Sequence, residues 1–283
     1  MTTGRPPVRP ATIRVLRAAD LDGALAANDA VGWPERRILF EFYGARDDTA
    51  LFVAEVGGEI AGTGGATVFP GAPATGWVHG IVVRPEYQRT GLGARLTETA
   101  IEWLRARSVG AVLLLATDAG RPVYERLGFA AGERYGSYAW PPADPDPAGT
   151  VQPMKARNLP IVCELDREAT GEDRGGFIES FASSGWVFTR GAEVVGFHLA
   201  CPWGGGPTIA CDAASGLALL RHSSLVRRRP SRTVGLPEGN TAAVQYLAGL
   251  GITAERYVTR MWLGAPPRWR PEMIFGVFNF GVA

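Results

Sequence analysis

The chain has almost no net charge: 29 Lys and Arg against 28 Asp and Glu leave a formal +1 over 283 residues. That balance gives no global pull toward nucleic acid or acidic membranes. Cysteine is scarce, with Cys163, Cys201 and Cys211 far apart in sequence and no CxxC pair, so they read as free thiols in a reducing cytosol. No apolar run approaches the ~20 residues of a membrane helix. Residues 1–10 carry Arg and Pro without an apolar core, so no signal peptide is expected there. What remains, 46% hydrophobic and 20% charged, is ordinary globular composition at a length that suggests about two domains.

One stretch carries the chemistry. Gly76-Trp77-Val78-His79-Gly80-Ile81-Val82-Val83 is followed by Arg84-Pro85-Glu86-Tyr87 and then Gln88-Arg89-Thr90-Gly91-Leu92-Gly93-Ala94. The β-formers Val78, Ile81, Val82 and Val83 predict a strand. Pro85, which lacks a donor, stops the ladder, and helix formers dominate from Ala94 to Arg107. Amides at a helix start have no partner inside the helix and face the positive end of its dipole, so such a junction can hold a phosphate group. No Lys follows Gly93, which excludes the P-loop, and the third glycine of G-x-G-x-x-G is missing.

The pattern present, Gln-x-x-Gly-x-Gly after a strand ending Val-Arg-Pro-Glu-Tyr, resembles motif A of the GNAT superfamily of acyl-CoA N-acyltransferases. The order of elements agrees with that family. Strands are predicted at residues 11–16, 51–56, 59–69, 111–116 and 129–139, besides the central one. Helices are predicted from Asp20 as N-cap to about Ala30, from Trp33-Pro34-Glu35 to about Tyr43, at 91–107 and at 122–127. Leu92, Leu96, Ala100, Trp103 and Leu104 fall at helical spacing on the long helix. Tyr124-Glu125-Arg126-Leu127-Gly128-Phe129 is similar to the Y-x-x-x-G-F signature that closes the family's fourth helix.

Trp140-Pro141-Pro142-Ala143-Asp144-Pro145-Asp146-Pro147 reads as a stiff, extended linker. The second half repeats the first in outline. Asn240 falls on Thr117, Ala243 on Gly120, Leu247 on Tyr124, Gly251 on Gly128 and Ile252 on Phe129, which indicates an internal duplication. The expected fold class is therefore α+β, with two tandem GNAT-like domains, each a mixed, mostly antiparallel twisted sheet flanked by helices. The expected division is residues 1–139 (catalytic), 140–152 (linker) and 153–283 (divergent copy). In that copy Cys211-Asp212-Ala213-Ala214-Ser215-Gly216 replaces the loop motif, and an aspartate at a helix start would repel a pyrophosphate. Leu247 cannot donate a proton.

The resemblance implies acetyl-CoA as co-substrate, no metal, and a primary amine as acceptor. By resemblance the backbone of Ile81, Val82 and Val83 pairs with the pantetheine arm. Gln88, Arg89, Thr90, Gly91, Leu92, Gly93 and Ala94 hold the pyrophosphate, and Thr117 joins the cofactor-binding set. Gln88 stands where the family often has Arg, and Arg89 and Arg95 are candidates to offset it. Tyr124 matches the family's general acid, and a phenol of pKa about 10 is protonated at pH 7. His79 falls where many relatives place a Glu base; a satisfied buried histidine is the equal alternative. Trp33, Phe40, Phe42 and Tyr43 either line an acceptor pocket or pack in the core. The cluster Arg221, Arg227, Arg228, Arg229 and Arg232 reads as a solvated helix end, Gly204-Gly205-Gly206-Pro207 as a flexible loop, and Cys163 and Cys201 as core. The expected activity is acetyl-CoA-dependent N-acetyl transfer by direct attack; the alternative is an acyl-CoA-binding regulatory protein without turnover. The acceptor and oligomeric state stay open. A cytoplasmic location is expected, with no nucleic acid or membrane partner.

Overall fold

A computed structural model describes residues 11–34, 36–143, 150–227 and 233–283. The expectations for residues 1–10, for Arg228, Arg229 and Arg232, and for most of the proline linker lie outside them. The chain divides into two compact units, Met1–Val68 with Gly76–Val109, and Phe69–Thr75 with Gly110–Ala283.

In the first unit the strands are β1 (Ala11–Val15), β2 (Thr49–Val56), β3 (Glu59–Phe69) and β4 (Ala74–Val83), side by side in that order. β1–β2 and β2–β3 are antiparallel, Val15 facing Phe52 and Phe52 facing Gly64. The helices are α1 (Leu21–Asp29), α2 (Arg37–Gly44) and α3 (Leu92–Arg105). α3 buries Leu92, Leu96, Thr97, Ala100, Ile101 and Leu104, the stripe its spacing dictates. Trp103 sits off that stripe, only partly buried, with the Arg107 guanidinium 3.5 Å above its ring. Asp20 precedes α1, but its carboxylate does not cap that helix. It turns back to accept from the Arg17 amide at 2.7 Å and from Arg14 at 2.6 Å, because a full charge nearby is a stronger partner than a helix amide.

The second unit contains β5 (Val109–Ala116, from Gly110), α4 (Arg121–Arg126) and β6 (Ala130–Ala139). It then runs through β7 (Val151–Pro153), α5 (Leu159–Thr170), α6 (Gly175–Phe181), β8 (Gly185–Arg190), β9 (Glu193–Leu199), β10 (Thr208–Ala210), α7 (Ala213–Val226), β11 (Thr233–Pro237), α8 (Thr241–Gly249), β12 (Ala254–Gly264) and β13 (Ile274–Gly276). The expected Gly-rich flexible loop is instead tightly held. The Cys201 amide donates to the Gly205 carbonyl at 2.9 Å, and a Cβ on Gly206 would collide with the Leu199 carbonyl. Cys201 is buried, whereas Cys163, expected in the core, is only partly so.

The duplication is visible in single hydrogen bonds. The Gly120 amide donates to Thr117 Oγ1 at 3.2 Å, and the Ala243 amide donates to Asn240 Oδ1 at 2.9 Å. Phe129 donates to the Tyr124 carbonyl at 3.0 Å and Ile252 to the Leu247 carbonyl at 2.9 Å. Gly128 and Gly251 both end their helix with positive φ, 90° and 75°, the conformation a helix C-terminus reserves for glycine. The turns entering α1 and α5 match as well, Arg17 donating to Asp20 and Lys155 to Asn158 through their amides.

The copies do not close on themselves. By the repeat, β11 corresponds to β5 and β12 to β6. Yet β5 pairs with β12, β12 with β6, and β6 with β11, all antiparallel. Each copy's fifth strand is thus neighboured by the other copy's sixth. Trp262 of β12 covers Gly132 of β6 so closely that a Cβ there would lie 2.3 Å from the ring. β13, β10, β9, β8 and β7 form the unit's other sheet.

Candidate functional site

At the end of β4 a single turn at Pro85–Tyr87 leads to α3. Arg89 and Gly91 both take positive φ, 60° and 86°, with Thr90 between them donating its hydroxyl to the Tyr87 carbonyl at 2.7 Å. Left-handed residues interleaved with ordinary ones turn successive amides to one side. Gly91 is the residue before the helix, and no side chain caps α3 there. The amides opening α3 therefore have neither a partner in the helix nor a cap, and residues 88–91 are exposed. A Cβ on Gly91 would meet nothing within 4 Å, so the glycine answers the backbone angle and keeps the approach open. Gln88 is tied down, its amide group donating to the Val83 carbonyl at 2.9 Å. Arg95 donates to the Ala11 carbonyl at 2.9 Å, so of the two suggested arginines it is committed elsewhere.

His79 lies one residue before Gly80, whose φ of 61° breaks the strand's alternation. The Gly80 carbonyl accepts from Thr63 Oγ1 at 3.1 Å. The imidazole is 6% exposed, stacked on Tyr43 with ring centroids 4.4 Å apart, and its Nε2 is 3.0 Å from Thr67 Oγ1. Gly65 makes room for it: a Cβ there would lie 2.4 Å from Cε1. Tyr43 is thereby a core residue, while Trp33, Phe40 and Phe42 are partly buried. Sequence reasoning did not single out Thr67, Thr49 or Gly65; the Gly62-Thr63-Gly64-Gly65 run was the available signal, since a strand rarely spends three glycines without a close approach.

Burial lowers the His79 pKa to about 3, and burial first, with His222 nearby, does the same for His198. Both fold as neutral rings, while the unfolded chain binds a proton at each below about 6.5. Stability is then full above that pH and is lost as pH falls toward 3, by up to ~1.4 kcal/mol per unit for each ring. Asp20, lowered to about 2 chiefly by its hydrogen bond to Arg14, acts only below about 4. Thermal melts should therefore fall between pH 6.5 and 4.5. His198→Gln should flatten that slope; an unchanged slope would contradict the assignment.

In the second unit Tyr124 is 9% exposed, in edge contact with Phe129. Burial pushes its pKa up to about 12, so the phenol is protonated at neutral pH. Its counterpart is Leu247. The start of α7 differs from that of α3 in the same sense. Asp212 caps it, accepting from the Ser215 amide at 3.0 Å and from Arg190 at 2.6 Å. Although burial opposes ionisation, these bonds hold its carboxyl below the usual range, and the α7 amides face a fixed anion.

These paired geometries agree with comparisons of the whole sequence. The acetyltransferase (GNAT) family model matches residues 23–129, and an acetyltransferase (GNAT) domain model matches residues 162–276. The chain is a tandem member of the GNAT family. It is 24% identical over 256 residues to an uncharacterized N-acetyltransferase, YitH, of Bacillus subtilis (strain 168), covering 84% of this chain and 86% of that one. It is 33% identical over 90 residues to the glucosamine 6-phosphate N-acetyltransferase of Trypanosoma brucei brucei, spanning 30% of this chain and 61% of that enzyme. A solved Pyrococcus horikoshii chain assigned as an acetyltransferase superposes with a TM-score of 0.82 at 21% identity, each chain fully covered, which shows the shared fold. The GNAT family takes acetyl-CoA as co-substrate. No described helix is long and apolar enough to cross a membrane.

Proposed function

We propose that this GNAT chain moves an acetyl group from acetyl-CoA to a primary amine, and that its N-terminal copy, residues 1–139, performs the reaction. The observation that carries this reading is the contrast between helix starts: α3 opens on uncapped amides after left-handed Arg89 and Gly91, α7 on the ionised Asp212. Amides of residues 88–94 hold the diphosphate, helped by the positive end of α3. Main-chain groups of Ile81, Val82 and Val83 align the pantetheine arm, and Thr117 joins them. Acetyl-CoA supplies the activated thioester. Tyr124 gives its proton to the departing sulfur. A lysine-like acceptor must first lose its own proton, at about 4–5 kcal/mol at pH 7, and His79 stands on the strand that would receive it. Residues 153–283, reached through 140–152, form a copy that does not bind acetyl-CoA.

The test is thiol release by the full chain with acetyl-CoA and an amine panel of glucosamine 6-phosphate, spermidine and an alanyl peptide. Glucosamine 6-phosphate is included because the trypanosomal relative bears that name. Turnover with at least one primary amine is expected. Coenzyme A binding without thiol release from any panel member would replace the enzyme with an acyl-CoA-binding regulator.

A further inference from the structure

His79 is one end of a continuous hydrogen-bonded line. Its Nε2 is 3.0 Å from Thr67 Oγ1, Thr67 Oγ1 is 3.0 Å from Thr49 Oγ1, and Thr49 Oγ1 is 3.1 Å from Asp48 Oδ1. The line runs from a buried ring, past a fully buried threonine, to a carboxylate that is one-third exposed and paired with Arg46 at 2.5 Å.

Its direction follows from counting hydrogens. An ionised carboxylate only accepts, so Thr49 must spend its one hydroxyl hydrogen on Asp48. The Thr49–Thr67 contact then needs the Thr67 hydrogen. With that hydrogen spent, the Thr67–His79 contact needs a hydrogen on Nε2. The chain thus fixes the imidazole as the Nε2–H tautomer and leaves Nδ1 as the ring's lone pair.

We propose that His79, Thr67, Thr49 and Asp48 form a proton relay that carries the acceptor amine's proton from His79 to the surface. This rests on the acyl-transfer reading above. In the step, the amine N–H bond breaks and a Nδ1–H bond forms. The Nε2 proton passes to Thr67 Oγ1, the Thr67 proton to Thr49 Oγ1, and the Thr49 proton to Asp48 Oδ1, which releases it to water. One proton enters and one leaves, and the ring is neutral before and after. A neutral path matters here because burial strongly disfavours an imidazolium at this position. Thr67 and Thr49 act through the histidine, so they are positioning residues. The groups facing His79 are Tyr43 from α2 and Thr67 from β3; Asp48 and Arg46 are the charged pair at the far end.

Two measurements on the full chain test this. With only three histidines, 15N spectra of the rings report each tautomer without any acceptor. His79 should be Nε2–H in the wild type. Thr67→Val, which keeps shape and removes the hydroxyl, should convert it to a mixture or to Nδ1–H, and Thr67→Ser should restore it. In turnover with the panel amine that reacts, Thr49→Val and Thr67→Val should lower kcat at pH 7 by at least tenfold at unchanged KM for acetyl-CoA. The deficit should shrink as pH approaches the acceptor's own pKa, where the amine is already neutral. Thr67→Ser should recover the wild-type profile, which a purely structural role for the hydroxyl would not tie to pH. An Nδ1–H tautomer in the wild type, or a valine variant with an unaltered pH profile, overturns the relay. Absence of turnover by the wild type with every amine overturns the transferase reading instead, and the tautomer result still decides the hydrogen-bond line.

Discussion

Tyr124→Phe is expected to lower kcat by at least about tenfold, a floor set below the roughly 10²–10⁴-fold contribution of a positioned proton donor, while leaving the affinity for acetyl-CoA nearly unchanged. Everything but one oxygen is conserved in that change. The ring keeps its edge contact with Phe129 and its place in α4. The backbone carbonyl of residue 124 still accepts from Leu127 and Phe129. Melting temperature should stay close to wild type. What disappears is a phenol that burial holds protonated, its pKa pushed up to about 12. Steady-state kinetics together with cofactor titration separate the outcomes: unchanged turnover would remove Tyr124 from the chemistry, and lost binding would make it a structural residue.

The second large effect concerns folding. Residues 1–143 and 150–283 expressed separately are expected to give no soluble chain with a cooperative melt, and to fold when produced together. β6 has no strand of its own copy beside it. Its neighbours are β12, with Met261 against Ala131, and β11, with Val234 against Tyr138. Removing them would leave β5 and β6 with open edges and uncover Tyr135 and Tyr138, each at most 3% exposed. Unpaired, apolar strand edges associate with whatever is available. Two separate halves, each monomeric and melting sharply, would contradict the exchange.

How much of this was legible depends on the range of the interactions. The strand, turn and helix from residue 76 to 107 are set locally, by β-branched residues, Pro85 and Gly91, and the sequence shows them within a few residues. So are the turns that repeat between the copies, because Thr117 and Asn240, or Gly128 and Gly251, do the same local work. β12 has no clean apolar–polar alternation to announce it, since Val258, Thr259, Arg260 and Met261 are all buried and its register against β6 shifts between Thr259 and Met261, and β7 and β13 are too short to show a period. No local pattern tells whether a strand returns to its own copy or crosses to the other. The surroundings of His79 come from α2, β2 and β3, and a parity count along β4 cannot supply them, particularly with Gly80 breaking the parity. Asp20 stands before α1 as its residue type suggests, yet its carboxylate binds Arg14 and the Arg17 amide instead of capping the helix, a competition sequence spacing does not rank.

The central claim is that the start of α3 grips a diphosphate and the start of α7 does not. Titration calorimetry of coenzyme A into the full chain and into Gly91→Asp tests it most directly, since aspartate tolerates the left-handed angle and puts at α3 the charge that Asp212 puts at α7. One site per chain is predicted, weakened at least about tenfold, or ~1.4 kcal/mol, by Gly91→Asp. Two sites per chain, or equal affinity in the variant, would contradict it.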